Sequence, residues 1–307
     1  MPRSARVKSP SSVYHIMVHS ISEVLLFADD DDKNMYLGLI KKYQRTYSFK
    51  VYGYCLMDTH GHLIIDPCGA DISKIMHCIN QCYAQYYNRV HKRHGHLFQD
   101  RFKSKIVSDD RNLVSLSAYI SRNPKDIEGY RGREEHYPYS SYGIYVGIAE
   151  DDFQILNPYF ILSLFSDNIA RARRLYREFV SMYDKNGSGE DDPEFARERA
   201  DYRSERHIIL RRAQPSNVID FVSRYTKTDR SYINIKYIKD ASDFKSLSAL
   251  IMRCMCDMSE RAICGEMGNI TQSHVARLYH RGADLIERRD EYKNMLKDFV
   301  EQMEKAS

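Results

Sequence analysis

The sequence predicts an α+β fold for its first half and an all-α fold for its second half. Two observations support this prediction. Up to residue 122, segments with the two-residue period of strands alternate with segments of helical period, in the order strand, helix, strand, helix, strand, helix. Residues 201–307 show helical patterns throughout. The alternation in the first half indicates an antiparallel or mixed sheet with helices packed on one face.

Each element of the first half follows from its apolar spacing and its end signals. The acidic run at 29–32 suits a helix N-terminus, because carboxylates accept the free backbone N–H groups there. Pro124 ends the third helix, since the residue before a proline is displaced from helical geometry. The predicted elements are a strand at 13–20, a helix at 32–47, one long or two joined strands at 50–65, a helix at 71–92, a short strand at 106–107 and a helix at 110–122.

The length of 307 residues allows two domains with substantial cores. We expect a first domain at 10–150, a helical extension with an acidic linker at 151–200, and a helical domain at 201–307. No apolar run approaches the roughly 20 residues that span a bilayer, so we expect no membrane partner. We expect no secretory signal, because the first 12 residues are basic and polar without an apolar stretch. Seven cysteines without a C-x-x-C pair predict a reduced, cytoplasmic protein without zinc.

The most informative local feature is a pair of histidines, His60 and His62, inside a β-prone apolar segment. Side chains alternate along a strand, so both imidazoles point to one face, about 7 Å apart. Two imidazoles so placed can share a divalent ion or hold one phosphate. The alternative is that they are two polar residues on a solvated sheet face.

A candidate nucleophile lies on the helix predicted at 110–122. Tyr119 and Asn123 are four residues apart, so they lie on the same helical face. A phenol can attack a phosphodiester and hold the strand as a phosphotyrosine. The amide oxygen of Asn123 could complete a site for Mg²⁺ or Mn²⁺ with His60 and His62, with positions open for phosphate oxygens. The alternative is that Tyr119 is an ordinary aromatic residue among 24 tyrosines.

A basic strip at 89–105 carries six cationic side chains against Asp100 alone. Aromatic residues are interleaved with these charges, a combination that suits single-stranded nucleic acid, where phosphates pair with cations and bases stack. The alternative is a solvated basic face. The cationic residues are Arg89, Lys92, Arg93, Arg101, Lys103 and Lys105, and the aromatic ones are Tyr83, Tyr86, Tyr87, Phe98 and Phe102.

Four segments, in order along residues 13–145, resemble the single-tyrosine HUH transposases, especially the REP-associated tyrosine transposases of the IS200-like group. They are Tyr-Cys-Leu-Met-Asp-Thr-His-Gly-His-Leu-Ile at 54–64, Gly-His-Leu-Phe-Gln-Asp-Arg-Phe-Lys-Ser at 95–104, Tyr-Ile-Ser-Arg-Asn-Pro at 119–124 and Tyr-Pro-Tyr-Ser-Ser-Tyr at 137–142.

This resemblance implies a ferredoxin-like antiparallel sheet with helices on one face. It implies cleavage of single-stranded DNA, usually beside a hairpin, through a 5′-phosphotyrosine and a free 3′-hydroxyl. On the matching positions Tyr119 is the nucleophile, His60 and His62 are metal ligands, and Asn123 is the third ligand. Relatives often form homodimers.

Two positions depart from the family pattern. Gly61 stands where a bulky apolar residue is usual, and Thr59 stands where asparagine is usual. Glycine loosens a strand, so a catalytically weakened, DNA-binding regulator on the same scaffold is the alternative to a strand-cleaving enzyme. A metal-dependent hydrolase of small phosphate esters is a third hypothesis, which leaves the basic strip unexplained.

The second half contains a helix-turn-helix pattern at about 259–282, with a turn at 268–269 and a second helix capped by Ser273. The second helix of such a motif enters the major groove of duplex DNA. The alternative is a plain helical hairpin. Residues 217–286 also resemble, loosely, the DNA-binding domain of the replication initiator DnaA, with Arg253 in the helix before the motif. The residues expected to contact DNA here are Arg253, Gln272, Ser273, His274 and Arg277.

Overall fold

The computed structural model describes residues 12–22, 24–183, 211, 213–235, 239–268 and 270–306. The chain divides into two compact units, one built mainly from residues up to 206 and the other mainly from residues 207 onward. The acidic linker predicted within 186–198 lies outside the described residues. Among the helices that are described, none combines the length and the apolar character needed to span a membrane.

Antiparallel pairing joins the strands of the first unit into one sheet. The order across the sheet is β2 (Lys50–Leu56), β3 (His60–Asp66), β1 (Val13–His19) and β4 (Lys103–Val107). Helix α1 (Asp30–Tyr47) joins β1 to β2, and α2 (Ile72–Val90) joins β3 to β4. This is the βαββαβ order of ferredoxin-like folds. The expected α+β class and antiparallel sheet are therefore confirmed.

An aromatic core lies between the sheet and the first two helices. Tyr36 of α1 and Tyr83 of α2 meet edge to face with ring centroids 5.1 Å apart, and Phe27 packs 5.3 Å from Tyr36. Gly61 of β3 points into this core, because a Cβ atom there would lie 3.6 Å from the Phe27 ring. His62, the next residue along the strand, therefore points to the opposite face.

The other α-helices in the described part of the first unit are α3 (Asp110–Arg122), α4 (Tyr142–Val146), α5 (Tyr159–Ser163) and α6 (Ile169–Tyr183). Because Tyr119 of α3 contacts His62, α3 lies on the sheet face opposite to the aromatic core. On another side of α3, the hydroxyl of Tyr176 in α6 lies 2.6 Å from Ser117 Oγ and 2.9 Å from Ser121 Oγ. These buried hydrogen bonds tie α3 to α6.

The described part of the second unit is helical, as the sequence predicts. Its α-helices are α7 (Pro215–Thr226), α8 (Ser242–Met255), α9 (Glu260–Met267), α10 (Gln272–Arg288) and α11 (Met295–Ala306). Buried residues run along most of α8, which forms the core of this unit. Gly282 allows α10 to approach α8 closely, since a Cβ atom there would clash with the carbonyl oxygen of Ser246.

Candidate active site

A cluster of histidines occupies the sheet face that α3 covers. His15 and His19 come from β1, and His60 and His62 come from β3, with His19 directly opposite His60. The rings of His15 and His62 stack with centroids 5.2 Å apart, and those of His19 and His60 stack at 4.9 Å. His60 and His62 meet at right angles, with centroids 5.1 Å apart. The histidine pair noted in the sequence thus belongs to a group of four imidazoles.

Sequence reasoning missed His15 and His19, although a signal for them exists. They stand four residues apart in a predicted strand, so their side chains point to one face. The sequence does not reveal that β1 pairs with β3, and this pairing brings His15 to His62 across 47 residues of chain.

Hydrogen bonds orient the rings of His60 and His62. Nε2 of His15 lies 3.0 Å from Nδ1 of His62, and Oγ1 of Thr59 lies 3.1 Å from Nδ1 of His60. With each Nδ1 atom turned to a protein partner, the Nε2 atoms are the nitrogens with which these rings would bind a metal ion.

The environment of His62 favours its neutral form. Its side chain is only 2 % exposed. Burial lowers the pKa of the His62 imidazole well below its usual range, and the nearby His15, His60 and His19 lower that pKa further. A neutral imidazole keeps a lone pair that a metal ion can use.

Tyr119 stands against this cluster. Its ring meets the His62 ring edge on, at an interplanar angle of 88° and with centroids 5.7 Å apart. The side chain is partly buried, and α3 fixes its position on the sheet. The structure therefore brings the phenol of α3 next to the imidazoles of β1 and β3.

Asn123 lies one turn beyond Tyr119, where α3 passes into a short 3-10 turn. Its Nδ2 atom is buried and has no hydrogen-bond partner among the described residues. The oxygen and nitrogen of an amide exchange places when the side chain flips, so this group can present an oxygen to a ligand. As types of donor, two imidazoles and an amide oxygen suit a divalent ion that must leave positions open for phosphate.

A second group of possible metal ligands lies elsewhere in the described chain, where atoms of Asp29, Asp32 and His91 approach within 4.8 Å of one another. The carboxylate of Asp32 accepts a hydrogen bond from Ala28 N at 2.8 Å and lies 3.0 Å from His91 Nε2. Asp29 in turn accepts from Asp32 N. The two contacts with backbone N–H groups cap α1, as the sequence predicts for the acidic run.

Two lysines of the basic strip lie on the same face of the sheet as the four histidines. On β4, Lys103 lies opposite Met17, and Lys105 lies opposite His15. Residues paired across antiparallel strands share a face, so both side chains start from the same side of the sheet as the histidines. The other cations, Arg89, Lys92, Arg93 and Arg101, lie at the end of α2 and in the loop before β4.

The aromatic residues of the strip differ from the expectation. Tyr83, Tyr87 and Phe102 are buried, and the hydroxyls of Tyr83 and Tyr87 donate to the carbonyl oxygens of Leu26 and Leu25. They form part of the core and are not available to stack on bases. The interpretation of these three residues as a stacking platform is wrong, because Tyr83 and Tyr87 pack from α2 into the core and Phe102 is buried just before β4.

Beyond the end of α3 there is a pocket of about 460 Å³. Its charged lining combines three basic and two acidic side chains. The lining residues are Arg122, Lys125, Asp126, Arg131, Gly132 and Glu134.

In the second unit, the start of α10 is exposed. Thr271 caps this helix, since its side chain accepts a hydrogen bond from His274 N at 3.2 Å. The predicted cap, Ser273, is wrong because Ser273 lies within the first turn of α10. Residue 269 of the predicted turn lies outside the described residues. The side chains of Gln272, Ser273, His274 and Arg277 are exposed.

Arg253 does not lie at this surface. It is 9 % exposed within α8, and its Nη1 donates to Met258 O at 2.7 Å. A guanidinium group engaged in this way is not presented to phosphates, so its place in the structure does not favour the DNA contact expected from the sequence.

Comparison with known proteins concerns mainly the first unit. Residues 8–123 match the family model for "Transposase IS200 like". No curated protein matches the chain significantly. One similar solved structure is described as "Structure of the REP associates tyrosine transposase bound to a REP hairpin", with 18% identity and a TM-score of 0.41, covering 51% of this chain and 98% of that chain. The family match covers less than half of the chain and spans β1 to the end of α3.

Proposed function

We propose that this chain cleaves and joins single-stranded DNA beside a hairpin, with Tyr119 as the nucleophile. The contact between Tyr119 and His62, with ring centroids 5.7 Å apart, carries the proposal, because it joins the candidate nucleophile to a candidate metal ligand. The family match over residues 8–123 supports DNA processing of this class.

In the proposed step, the phenolic oxygen of Tyr119 attacks the phosphorus of a phosphodiester. A bond forms between phosphorus and the tyrosine oxygen while the bond to the 3′ oxygen breaks. The phenol proton passes to water, and the departing 3′ oxygen takes up a proton to become a free hydroxyl. Because a phenolate leaves more readily than an alkoxide, attack by a 3′-hydroxyl on the 5′-phosphotyrosine rejoins the strand.

The side chains around Tyr119 bind and orient the substrate. His60, His62 and Asn123 would hold Mg²⁺ or Mn²⁺, which when bound supplies Lewis-acid polarisation of the scissile phosphate. Lys103 and Lys105 add positive charge on the same sheet face, where they would neutralise phosphates of the DNA backbone.

We further propose that the second unit binds duplex DNA next to the hairpin. The observation in favour is that the start of α10 is exposed and that the short helix α9 precedes it in the chain. In a helix-turn-helix motif the second of two such helices enters the major groove. Its proposed contacts are Gln272, Ser273, His274 and Arg277.

Sedimentation of the protein with and without hairpin DNA would show whether it works as a homodimer.

One assay tests the proposed reaction. The protein is incubated with labelled single-stranded hairpin DNA and Mg²⁺ or Mn²⁺, and the products are separated on a denaturing gel. We expect a covalent protein–DNA adduct that is absent in Tyr119→Phe. Tyr159→Phe is the matched control, because Tyr159 is 70% exposed on α5 and its loss should leave the adduct unchanged.

The same assay separates the alternatives. Hairpin binding without any adduct in the wild-type protein would favour a catalytically weakened DNA-binding regulator. Release of phosphate from small esters, without DNA cleavage, would favour the metal-dependent hydrolase.

A further inference from the structure

We propose that His15 is a positioning residue for the active site, which accepts a hydrogen bond from Nδ1–H of His62 and so directs the Nε2 lone pair of His62 to the metal ion. This inference rests on the proposed function for the identity of the metal ligands. It adds a residue from β1, outside the four segments that carry the family resemblance.

The contact that supports this role is short and buried. Nε2 of His15 lies 3.0 Å from Nδ1 of His62, and the two side chains are 3% and 2% exposed. Water therefore has little access to replace either partner. A neutral imidazole carries one proton on one of its two nitrogens, so a fixed acceptor at Nδ1 selects the form whose Nε2 can bind a metal.

The contact between Thr59 and His60 supplies a control, because it is exposed whereas the contact between His15 and His62 is buried. Thr59 Oγ1 lies 3.1 Å from His60 Nδ1, but this contact is exposed to solvent. Water can replace the Thr59 hydroxyl when it is removed. His19 stacks on His60 with centroids 4.9 Å apart. Removal of His15 should therefore disturb the site more than removal of the Thr59 hydroxyl.

The register of the strands explains why His15 reaches this position. His15 pairs with Ile64 and Met17 pairs with His62, so His15 lies diagonally across from His62 on the same face. A long ring can reach a diagonal neighbour on an adjacent strand. His15 also pairs with Lys105 of β4. β1 therefore lies between β3 and β4, and pairing along both of its edges fixes the backbone position of His15.

The test compares His15→Leu with His15→Gln in the full-length protein. Leucine fills the space without a hydrogen-bond acceptor, whereas the amide oxygen of glutamine can accept from His62 Nδ1–H. The first measurement is Mn²⁺ affinity without DNA, by electron paramagnetic resonance. We expect His15→Leu to weaken Mn²⁺ binding by about tenfold to a hundredfold, and His15→Gln to restore most of it. Thr59→Val should weaken Mn²⁺ binding less than His15→Leu does, because water can replace the exposed Thr59 hydroxyl.

The second measurement is the ¹⁵N resonance pattern of the His62 ring in the metal-free protein. We expect a proton on Nδ1 and none on Nε2 in the wild type and in His15→Gln, and a mixture of the two forms in His15→Leu. Equal Mn²⁺ affinity of wild type and His15→Leu would overturn the inference. Equal losses in His15→Leu and His15→Gln would also overturn it, since they would indicate packing alone.

These outcomes are distinct from a failure of the proposed function. If the wild-type protein forms no covalent adduct with hairpin DNA, the strand-cleavage proposal fails. The comparison of Mn²⁺ affinities and of the His62 proton position still decides the role of His15.

Discussion

His62 makes two contacts in the site, a hydrogen bond with His15 and an edge-on contact with Tyr119. We expect His62→Ala to abolish adduct formation, because it removes a proposed metal ligand. Most of the hairpin affinity should remain, because the proposed DNA contacts are the basic side chains on β4 and beyond α2. Gel-based cleavage and fluorescence anisotropy measure the two effects on the same preparation. His77→Ala, at an exposed position on α2, is the control. A parallel loss of binding and cleavage would contradict a metal role for His62.

Gly61 differs from the bulky residue of related proteins, and the structure explains how it is accommodated. A Cβ atom at this position would lie 3.1 Å from Leu56 Cδ2, 3.2 Å from Val18 Cγ2 and 3.6 Å from Phe27 Cε2. Neighbouring side chains thus fill the space of the missing side chain. The strand is packed at this position, which the expectation of a loosened strand did not foresee.

From this packing we expect Gly61→Ile to lower the free energy of unfolding by about 1–3 kcal/mol, because a larger side chain would displace Leu56 and Val18. Urea denaturation measures this change. Gly38→Ala is the control, since a Cβ atom at this position in α1 meets nothing within 4 Å and should raise the stability by up to about 1 kcal/mol. An increase in stability for Gly61→Ile would show that the space is not filled.

At the scale of the elements, the contact between α3 and α6 helps to hold the helix that carries Tyr119. Ser117 and Ser121 lie one helical turn apart, and both hydroxyls meet the hydroxyl of Tyr176 in the protein interior. We expect Tyr176→Phe to lower the free energy of unfolding by about 1–3 kcal/mol, because two buried hydroxyls lose their shared partner. Chemical denaturation, with Tyr159→Phe as an exposed control that should change by less than about 0.5 kcal/mol, tests this. Equal effects of the two changes would mean that the buried contact contributes nothing.

The elements also show how far sequence reasoning reaches. Strand and helix periodicity predict β1 to β3 and α1 to α3. The antiparallel sheet expected from the strands is confirmed. The spacing of His60 and His62 is visible in the sequence because strand alternation is a local property. The contribution of His15 is not visible, because it depends on which strands pair. The burial of Tyr83 is missed for a related reason, since periodicity marks a helical face without showing what covers it.

At the scale of the whole molecule, we propose a division of labour between the two units. Cleavage chemistry belongs to the first unit and duplex recognition to the start of α10 in the second. We expect Arg277→Ala to weaken binding to duplex DNA by about tenfold, with little change in the cleavage of an isolated hairpin. Titration of the full-length variant with both DNAs measures this. A loss of hairpin cleavage of the same size would show that the functions are not separate.

The most direct measurement of the central claim is mass spectrometry of the protein after reaction with hairpin DNA and Mn²⁺. The account predicts one peptide that carries a 5′-phosphonucleotide on Tyr119 and an equal amount of DNA that ends in a 3′-hydroxyl. Cleaved DNA without a nucleotide on Tyr119, or a nucleotide on another tyrosine, would contradict it.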